Sequence, residues 1–490
     1  MNINNKLNEL IQSVSPLKVV GPTDLTINNI TLDSRTVANG DMFVAVRGAL
    51  VDGHTFVGKA LAAGAVAVVV EEMPEAIADG VAYILVESTS RALAQLADAF
   101  YCHPSRQLTL VGVTGTNGKT TIATLIYEMA QLMGEKAGLL STVANYVGRR
   151  EIQADRTTPD ALTINRLLAE MVEDGCTIAA MEVSSHAVVQ NRIYGLDFDG
   201  AIFTNLTRDH LDYHKTVEAY RDAKKGFFDA LKPEAWALTN ADDRNGLFML
   251  QNCAARHLTY SLRSLADFTG RDIENHLDGT LIAFNGTEVF TRFIGEFNVY
   301  NLTAVYGAAT LIGWNPQEIA VNMSLLRPVA GRFEIVSTEG RDDLPTVVVD
   351  YAHTPDALVN VLSTIRNING VARILTVVGC GGNRDKGKRP IMAVEASRRS
   401  DTLIITSDNP RDERPEDIIA DMEAGLDPVQ RKRAFKVVDR TEAIRLAITL
   451  AQKGDVVLIA GKGHETYQEV AGKRHHFDDR EVAAQALNDK

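Results

Sequence analysis

The sequence predicts an α/β protein with three domains. Apolar strand-like runs alternate with helix-like runs along nearly the whole chain, a pattern typical of mostly parallel sheets covered by helices. The 490 residues exceed the size of one ordinary domain. A His-Pro-Ser turn at 103–105 and the pair Pro328 and Gly331 mark two boundaries. We therefore predict domains at residues 1–105, 106–328 and 329–490.

The composition excludes several classes of protein. The formal net charge of −13 argues against a general nucleic-acid surface and favours small anionic ligands at local basic sites. The four cysteines are far apart and contain no Cys-x-x-Cys pair, so they indicate neither zinc nor a disulfide framework. The start lacks the pattern of a signal peptide, and the longest apolar stretch, 60–70, is too short to span a bilayer. We expect a cytoplasmic monomer that is not embedded in a membrane.

In the first domain, short strands alternate with alanine-rich helices. The pattern predicts strands at 42–46, 66–70 and 82–86, and helices near 54–64 and 90–101.

The second domain opens with the most informative run of the chain. An apolar strand from Leu108 stops at glycines, and Gly118, Lys119 and Thr120 then begin a helical segment. Such a loop turns its N–H groups inward, its lysine reaches the β- and γ-phosphates, and its threonine holds Mg²⁺. The match to the general phosphate-loop pattern is imperfect, because Val113 stands where the first glycine belongs. The run predicts a triphosphate nucleotide on a central P-loop ATPase-like parallel sheet.

The rest of this domain continues the alternation. We predict strands near 177–183, 199–205 and 235–240, a strand pair near 280–293, and helices near 118–133, 160–174, 216–231 and 298–312.

Polar residues follow two of these strands. Glu182 ends one strand and is placed either to bind Mg²⁺ or to make a local hydrogen bond. His210, in a polar loop after the next strand, is the preferred metal ligand of that loop, whose spacing fits no closed zinc site. Ser184 and Ser185 precede His186, but no Gly-x-Ser-x-Gly elbow surrounds them, which argues against a serine hydrolase.

The third domain predicts a doubly wound, Rossmann-like sheet. Its strands fall at 346–350, 373–378, 402–406 and 456–460, and its helices near 355–367, 388–399, 415–424 and 440–453. Ligands of such sheets bind beyond the carboxyl ends of the strands. Three unusual loops lie there, and they suit an amino acid: a basic cluster, an Asn/Arg pair and a glutamate. The residues are Arg384, Lys386, Lys388 and Arg389, then Asn409 and Arg411, then Glu465.

Taken together, these motifs resemble those of the Mur ligases, the ATP-dependent amide-forming enzymes of peptidoglycan synthesis. The similarity covers essentially the whole chain and includes residues 32–35, 115–121, 182–186, 205–212, 331–332 and 350–355. Within the family, Asp408-Asn-Pro-Arg411 resembles the signature of members that add meso-2,6-diaminopimelate to UDP-N-acetylmuramoyl-L-alanyl-D-glutamate. Lysine-adding relatives generally lack that combination.

The resemblance implies a set of site residues. ATP would be held by Gly115, Thr116, Asn117, Gly118, Lys119, Thr120, Thr121, Asn301, Arg332 and Asp350. The UDP-substrate would contact the first domain at Leu32 and Ser34, and the central domain at Thr157, Thr158, Ser184, Gln190 and Arg192. Diaminopimelate would contact Arg389, Asp408, Asn409, Pro410, Arg411, Gly461 and Glu465.

The resemblance also implies catalytic groups and a reaction. The groups are Lys119, Glu182, His210 and Lys224, the last as a carbamate, and the Mg²⁺ ligands are Thr120, Glu182, His210 and that carbamate. The D-glutamate carboxylate would attack the γ-phosphate, and the amine would then attack the acyl phosphate. Two alternatives stay open: a ligase of the same fold that adds L-lysine or acts on a folylpolyglutamate, and a nucleotide switch that hydrolyses ATP slowly.

Overall fold

Three large β-sheets, each covered by helices, follow one another along the described part of the chain, and residues 467–476 add a separate two-stranded sheet. We analysed a computed structural model, which describes residues 3–48, 51–276, 279–336, 341, 343–368 and 370–490. Among these residues, none of the helices is both long and apolar enough to cross a membrane.

The first sheet is small and mostly parallel. Its strands run in the order β1-β5-β4-β3-β2, and only β1 is antiparallel to its neighbour. The elements are α1 (Leu7–Ser13), β1 (Lys18–Val20), β2 (Ile30–Thr31), β3 (Met42–Val44), α2 (Val57–Ala62), β4 (Ala67–Val70), β5 (Ala82–Leu85) and α3 (Thr89–Phe100). The helix predicted near 54–64 begins with a 3₁₀ turn, Gly53–Phe56, because the Asp52 side chain accepts from the His54 N–H and caps it.

The second sheet has eleven strands. Their order is β16-β15-β14-β13-β12-β11-β6-β10-β7-β8-β9. The strands are β6 (Thr109–Thr114), β7 (Ala137–Leu140), β8 (Ala144–Val147), β9 (Arg150–Gln153), β10 (Ile178–Glu182), β11 (Gly200–Phe203), β12 (Trp236–Asn240), β13 (Arg256–Ser261), β14 (Phe268–His276), β15 (Gly279–Phe284) and β16 (Thr287–Thr291). The helices are α4 (Lys119–Leu132), α5 (Ala161–Glu173), α6 (Ser185–Val189), α7 (Leu211–His214), α8 (Val217–Asp229), α9 (Gly246–Leu250), α10 (Glu296–Ile312) and α11 (Pro316–Leu325).

The predicted parallel sheet is confirmed at the centre of this unit. From β14 to β7 every neighbouring pair is parallel, whereas β15–β16 and β8–β9 extend the two edges in antiparallel fashion. The carboxyl ends of β6, β10 and β11 therefore lie side by side. This arrangement brings together the loops that follow Thr114, Glu182 and Phe203.

The third sheet is doubly wound, as predicted. Its order is β17-β18-β22-β19-β20-β21, with only β17 antiparallel. The elements are β17 (Glu334–Val336), β18 (Thr346–Asp350), α12 (Pro355–Asn367), β19 (Ile374–Val378), α13 (Lys388–Arg399), β20 (Thr402–Ile405), α14 (Pro415–Glu423), α15 (Pro428–Lys432), β21 (Ala434–Lys436), α16 (Arg440–Leu450), β22 (Val456–Ala460), β23 (Tyr467–Val470), β24 (Lys473–His476) and α17 (Asp479–Asn488).

Helices cover both faces of this sheet. Val348 packs on one side with residues of α12 and α13, while Val347 and Val349 pack on the other with residues of α16 and α17. Strand side chains alternate between the two faces of a sheet, and here both faces are buried, so the strands appear in the sequence as continuous apolar runs. The sheet thus presents the carboxyl ends of β18, β19, β20 and β22 at one edge.

Candidate active site

The loop between β6 and α4 depends on two glycines. Gly115 has φ +150°, and a Cβ there would lie 1.8 Å from Thr204 Oγ1. Gly118 has φ +87°, and its Cβ would lie 2.5 Å from Asn301 Oδ1. Any other residue would push these neighbours away, so the loop keeps its curl only with glycine. The first-turn N–H groups of α4, which starts at Lys119, face an anion site.

Two lysines, the half-buried Lys119 and the buried Lys224, converge on this loop. Lys119 Nζ donates to the carbonyl oxygens of Gly115, at 2.9 Å, and Thr116, at 2.8 Å. Lys224 Nζ, on α8, donates to the same Gly115 carbonyl at 2.7 Å and lies 4.5 Å from the centre of the Tyr220 ring. Burial, and then the charge of Lys119, hold the pKa of Lys224 well below its usual range. The amines of both lysines thus meet at one carbonyl of the phosphate loop.

Glu182 and His210 lie beside the phosphate loop. Glu182 Oε1 accepts the Thr142 N–H at 2.7 Å. His210 has φ +53°, and its Nε2 is 3.5 Å from Asp209 Oδ2. Burial lowers the pKa of His210 to about 4, so the ring is neutral and has a lone pair for a metal at neutral pH.

These donors fit Mg²⁺ better than zinc. Within the described part of the chain, His, Cys, Asp and Glu residues form no group of three or more that could hold a metal. Mg²⁺ needs only one or two protein oxygens or nitrogens, with phosphate oxygens and water completing its shell. Glu182, His210 and the Thr120 hydroxyl would supply the protein share.

The third domain closes over the loop. Arg332 Nη2 donates to Thr120 Oγ1 at 3.1 Å, so a residue before β17 contacts the first turn of α4. Asp350, at the end of β18, accepts the Phe333 N–H at 2.7 Å, and burial raises its pKa to about 6. Together with Asn301, these groups line a cavity of 720 Å³ that also includes all seven loop residues predicted for ATP except Gly115.

The residues predicted for the muramoyl-dipeptide form one hydrogen-bonded network. Thr158 Oγ1 donates to the Glu182 carbonyl at 2.7 Å and accepts the Ser184 N–H at 3.1 Å. Arg192 donates to the Thr158 carbonyl and, at 2.6 Å, to Gln190 Oε1. The network thus ties the dipeptide residues to the strand that ends at Glu182.

Three further predicted residues occupy different places. Thr157 accepts a hydrogen bond from Thr142 and lines the cavity. Leu32 and Ser34 follow β2 in the first domain, Leu32 partly exposed and Ser34 buried, and neither lines the 720 Å³ cavity or the larger one described next.

The strand-end loops of the third sheet line a larger cavity of 1390 Å³. Asn409 Nδ2 donates to Glu465 Oε2 at 2.8 Å, which joins the loops after β20 and β22. Gly461 has φ +118°, and a Cβ there would lie 2.7 Å from Asp408 Oδ2. Arg411 donates to the Gly382 carbonyl at 2.8 Å. The wall therefore includes Asp408, Asn409, Arg411, Gly461 and Glu465, as predicted, with Pro410 inside the same turn.

Arg389, also predicted for diaminopimelate, does not line this cavity in the ligand-free fold. Its side chain has no exposure and is ion-paired with Glu413, at 2.8 Å, and with Asp421, at 2.9 Å. Arg384, from the same basic cluster, is exposed and lines the cavity. In sequence both arginines are equivalent members of one cluster. The difference comes from Glu413, in the loop before α14, and Asp421, on α14, which pair with Arg389 and leave the guanidinium of Arg384 to face the cavity.

His353, to which the sequence analysis gave no role, lies among the residues that line both cavities. Both cavities are lined by Thr142, Thr157, Asp209, His210, Tyr351 and His353. His353 Nδ1 lies 2.9 Å from the Tyr351 carbonyl, so Nδ1 carries the proton and Nε2 is left as an acceptor. Burial lowers the pKa of His353 to about 4, so the ring is neutral. A phosphate bound in one cavity and an amine bound in the other would approach each other at this junction.

Models of three Mur ligase domains match the chain. The Mur ligase family catalytic domain matches residues 26–101, the Mur ligase middle domain residues 113–309, and the Mur ligase glutamate ligase domain residues 331–463. The chain belongs to the Mur ligase family. This membership confirms the predicted resemblance and the prediction of an amide-forming ligase.

Full-length relatives support the same conclusion. The chain is 54% identical over 479 residues to UDP-N-acetylmuramoyl-L-alanyl-D-glutamate--2,6-diaminopimelate ligase of Bacteroides fragilis, covering 97% of this chain and 98% of that protein. It is 56% identical over 477 residues to the protein of the same name from Parabacteroides distasonis, with the same coverage.

Solved structures share the architecture. A structure with the same name as those relatives is 34% identical, with a TM-score of 0.69, over 100% of this chain and 99% of that one. MurF from Acinetobacter baumannii, at 16% identity and a TM-score of 0.67 over 100% of both chains, shares the fold. The predicted α/β fold class is thereby confirmed, while the three domain boundaries stay predictions.

Proposed function

We propose that this protein is an ATP-dependent ligase that joins meso-2,6-diaminopimelate to the D-glutamate γ-carboxylate of UDP-N-acetylmuramoyl-L-alanyl-D-glutamate. The observation that carries the proposal is that two cavities share six lining residues, one cavity being lined by the phosphate loop and the other by the Asp408–Arg411 loop and Glu465. The names of the relatives that are more than half identical agree with this substrate pair.

The chemistry begins in the 720 Å³ cavity. A γ-carboxylate oxygen of the D-glutamate attacks the γ-phosphorus of ATP, forming an acyl phosphate and releasing ADP. Negative charge on the transferred group is stabilised by Lys119 and by the N–H groups at the start of α4. Because the attacking carboxylate is already an anion, the protein contributes mainly position and positive charge.

Mg²⁺ would be held by Thr120, Glu182 and His210. When bound, it supplies charge neutralisation to the phosphate oxygens. The depressed pKa of Lys224 leaves more of its amine neutral, and the neutral amine is the form that reacts with CO₂. That reaction forms an N–C bond, releases one proton and turns a cation into a carbamate anion, which would add a further ligand.

The amide forms at the junction. The free amine of diaminopimelate attacks the acyl carbon, and the tetrahedral intermediate expels phosphate. The neutral Nε2 of His353 faces both cavities and would accept a hydrogen bond from this amine. Glu465, which the Asn409 amide holds by a hydrogen bond, would bind an ammonium, while Arg384 and Arg411 would bind a carboxylate.

Diaminopimelate differs from lysine by a second carboxylate, so Arg384 and Arg411 would determine the preference for diaminopimelate over lysine.

We assign Thr157, Thr158, Ser184, Gln190 and Arg192 to the muramoyl-dipeptide, and Leu32 and Ser34 to the uridine nucleotide. We also propose that the enzyme acts as a monomer in the cytoplasm.

A panel of acceptors tests the proposal. ADP release is measured with ATP, Mg²⁺ and the UDP-dipeptide while meso-diaminopimelate, L-lysine or L-glutamate is supplied one at a time. Turnover that requires diaminopimelate is expected. Equal turnover with lysine would favour the lysine-adding alternative. Turnover with L-glutamate in a second series, in which a folate replaces the UDP-dipeptide, would favour the polyglutamating one.

A further inference from the structure

Behind the wall of the larger cavity lies a fully buried lysine. Lys462 stands in the loop after β22, and its side chain has no exposure. Its Nζ is 3.1 Å from Asn409 Oδ1, 3.3 Å from Glu465 Oε2 and 3.9 Å from Asp408 Oδ1. Burying an ammonium is costly unless it is paired and hydrogen-bonded. Lys462 has these partners, and each of them faces the cavity on its other side.

Lys462 helps to fix the orientation of the Asn409 amide. Asn409 Oδ1 accepts from Lys462 Nζ and, at 2.9 Å, from the Glu469 N–H. With both donors at Oδ1, the NH₂ end must point the other way, and it donates to Glu465 Oε2. Without the ammonium, one of the two contacts that hold this orientation is lost.

Lys462 also balances two carboxylates. Burial, and then the charge of Asp408, raise the pKa of Glu465, whereas Lys462 lowers it. The other groups that face Glu465 do not replace this cation: Arg440 is buried and bonded to Asp479 by two hydrogen bonds of 2.8 Å. The remaining titratable groups that act on Glu465 or respond to it are the phenols of Tyr351 and Tyr467.

We propose that Lys462 is a positioning residue for the amino-acid substrate: from behind the wall its ammonium pairs with Glu465 and turns the Asn409 amide so that the amide NH₂ holds Glu465 in place to receive the substrate ammonium. The inference rests on the proposed function. It adds a specificity element that does not touch the substrate. Its signature is a change in amino-acid affinity alone, with a dependence on pH.

Lys462→Met tests the role, since methionine has similar bulk and no charge. Lys462→Gln retains a donor without the charge, and Lys473→Met, on an exposed strand position outside the cavity, is the matched control. For each variant, kcat and the KM values for diaminopimelate, ATP and the UDP-dipeptide are measured from pH 6.5 to pH 9.5.

In Lys462→Met we expect the diaminopimelate KM at neutral pH to rise about 10-fold or more, the effect of one lost charge-assisted hydrogen bond. The rise should be smaller at high pH than at low pH, because burial and Asp408 raise the pKa of Glu465 and the carboxylate is more fully ionised at high pH. The other two KM values should stay within about twofold. Lys462→Gln should fall between Lys462→Met and the wild type, and Lys473→Met should match the wild type.

An unchanged diaminopimelate KM, or equal loss in all three KM values without a shift in the pH profile, would overturn the proposal. Failure of both Lys462 variants to fold, while Glu465→Gln folds, would assign Lys462 a structural role and would overturn it too. If the wild type itself forms no product with diaminopimelate, the proposed function fails, which is a different outcome.

Discussion

The contrast between Arg384 and Arg389 gives the sharpest test of how the amino-acid cavity is built. The two arginines are five positions apart in one basic cluster, yet only Arg384 faces the cavity. We expect Arg384→Met to impair substrate binding without loss of stability. We expect Arg389→Met to impair stability, because it removes the buried cation that Glu413 and Asp421 share and leaves only the exposed Lys386 beside Glu413.

The magnitudes follow from the contacts. A hydrogen bond to a charged group contributes about 1.5–3 kcal/mol, so losing Arg384 should raise the diaminopimelate KM about 10- to 150-fold. Breaking a buried ion pair costs about 3–5 kcal/mol. The lower end applies to Arg389, since the Asp421 side chain is 47% exposed. About 3 kcal/mol corresponds to a Tm lower by roughly 6–12 °C for a domain of this size.

Steady-state ADP release and thermal unfolding, measured on the same preparations, separate the two effects. The account predicts a high KM with an unchanged Tm for Arg384→Met. For Arg389→Met it predicts a low Tm, with a KM near the wild-type value at a temperature where the variant is folded. The reverse pattern would refute the assignment and restore Arg389 to the cavity wall.

Three further predictions concern the two cavities. Lys119→Ala should abolish ADP release while calorimetry still detects binding of the UDP-dipeptide; full turnover would contradict the phosphate-loop assignment. Gly461→Ala should raise the diaminopimelate KM about 10-fold by displacing Asp408. Gly454→Ala should not, since Gly454 also has a positive φ, of +87°, but nothing lies nearer its Cβ than 3.9 Å. The pKa of Asp350 is about 6 in the ligand-free folded state and 3.8 in the unfolded state. Between pH 3.8 and pH 6 the folded state therefore binds more protons than the unfolded state, and the free energy of unfolding falls as the pH rises. Denaturant unfolding should therefore find that Asp350→Asn gains about 3 kcal/mol over the wild type from pH 4 to pH 7, and a constant difference would exclude a buried ionisable Asp350.

The sequence was informative about the fold wherever strands are buried on both faces. Such strands, like β18 and β22, are continuous apolar runs that end at the polar loops of the site. The strands β8, β9 and β14, toward the two ends of the large sheet, were not predicted. Exposed positions interrupt the apolar pattern of β9 and β14, and the place of all three strands is set by pairing with their neighbours in the sheet.

The site shows the same division. Glycines of the phosphate loop could be identified from the chain, because their conformation is a local requirement. The orientation of Arg384 and Arg389 could not, since it depends on Glu413 and Asp421 from elsewhere in the chain. The place of Lys462 behind the wall is equally invisible in the run Gly461-Lys-Gly-His-Glu465, which does not reveal that Asn409 approaches it.

Mass analysis of the reaction product tests the central claim most directly. The enzyme is incubated with ATP, saturating Mg²⁺, the UDP-dipeptide and meso-diaminopimelate. The adenine nucleotides and the UDP-linked product are then identified by mass spectrometry and quantified in the same sample. The account predicts one ADP and one phosphate for each UDP product, whose mass is that of the two joined substrates less one water. ADP released without that adduct would contradict the ligase and favour a slow nucleotide hydrolase.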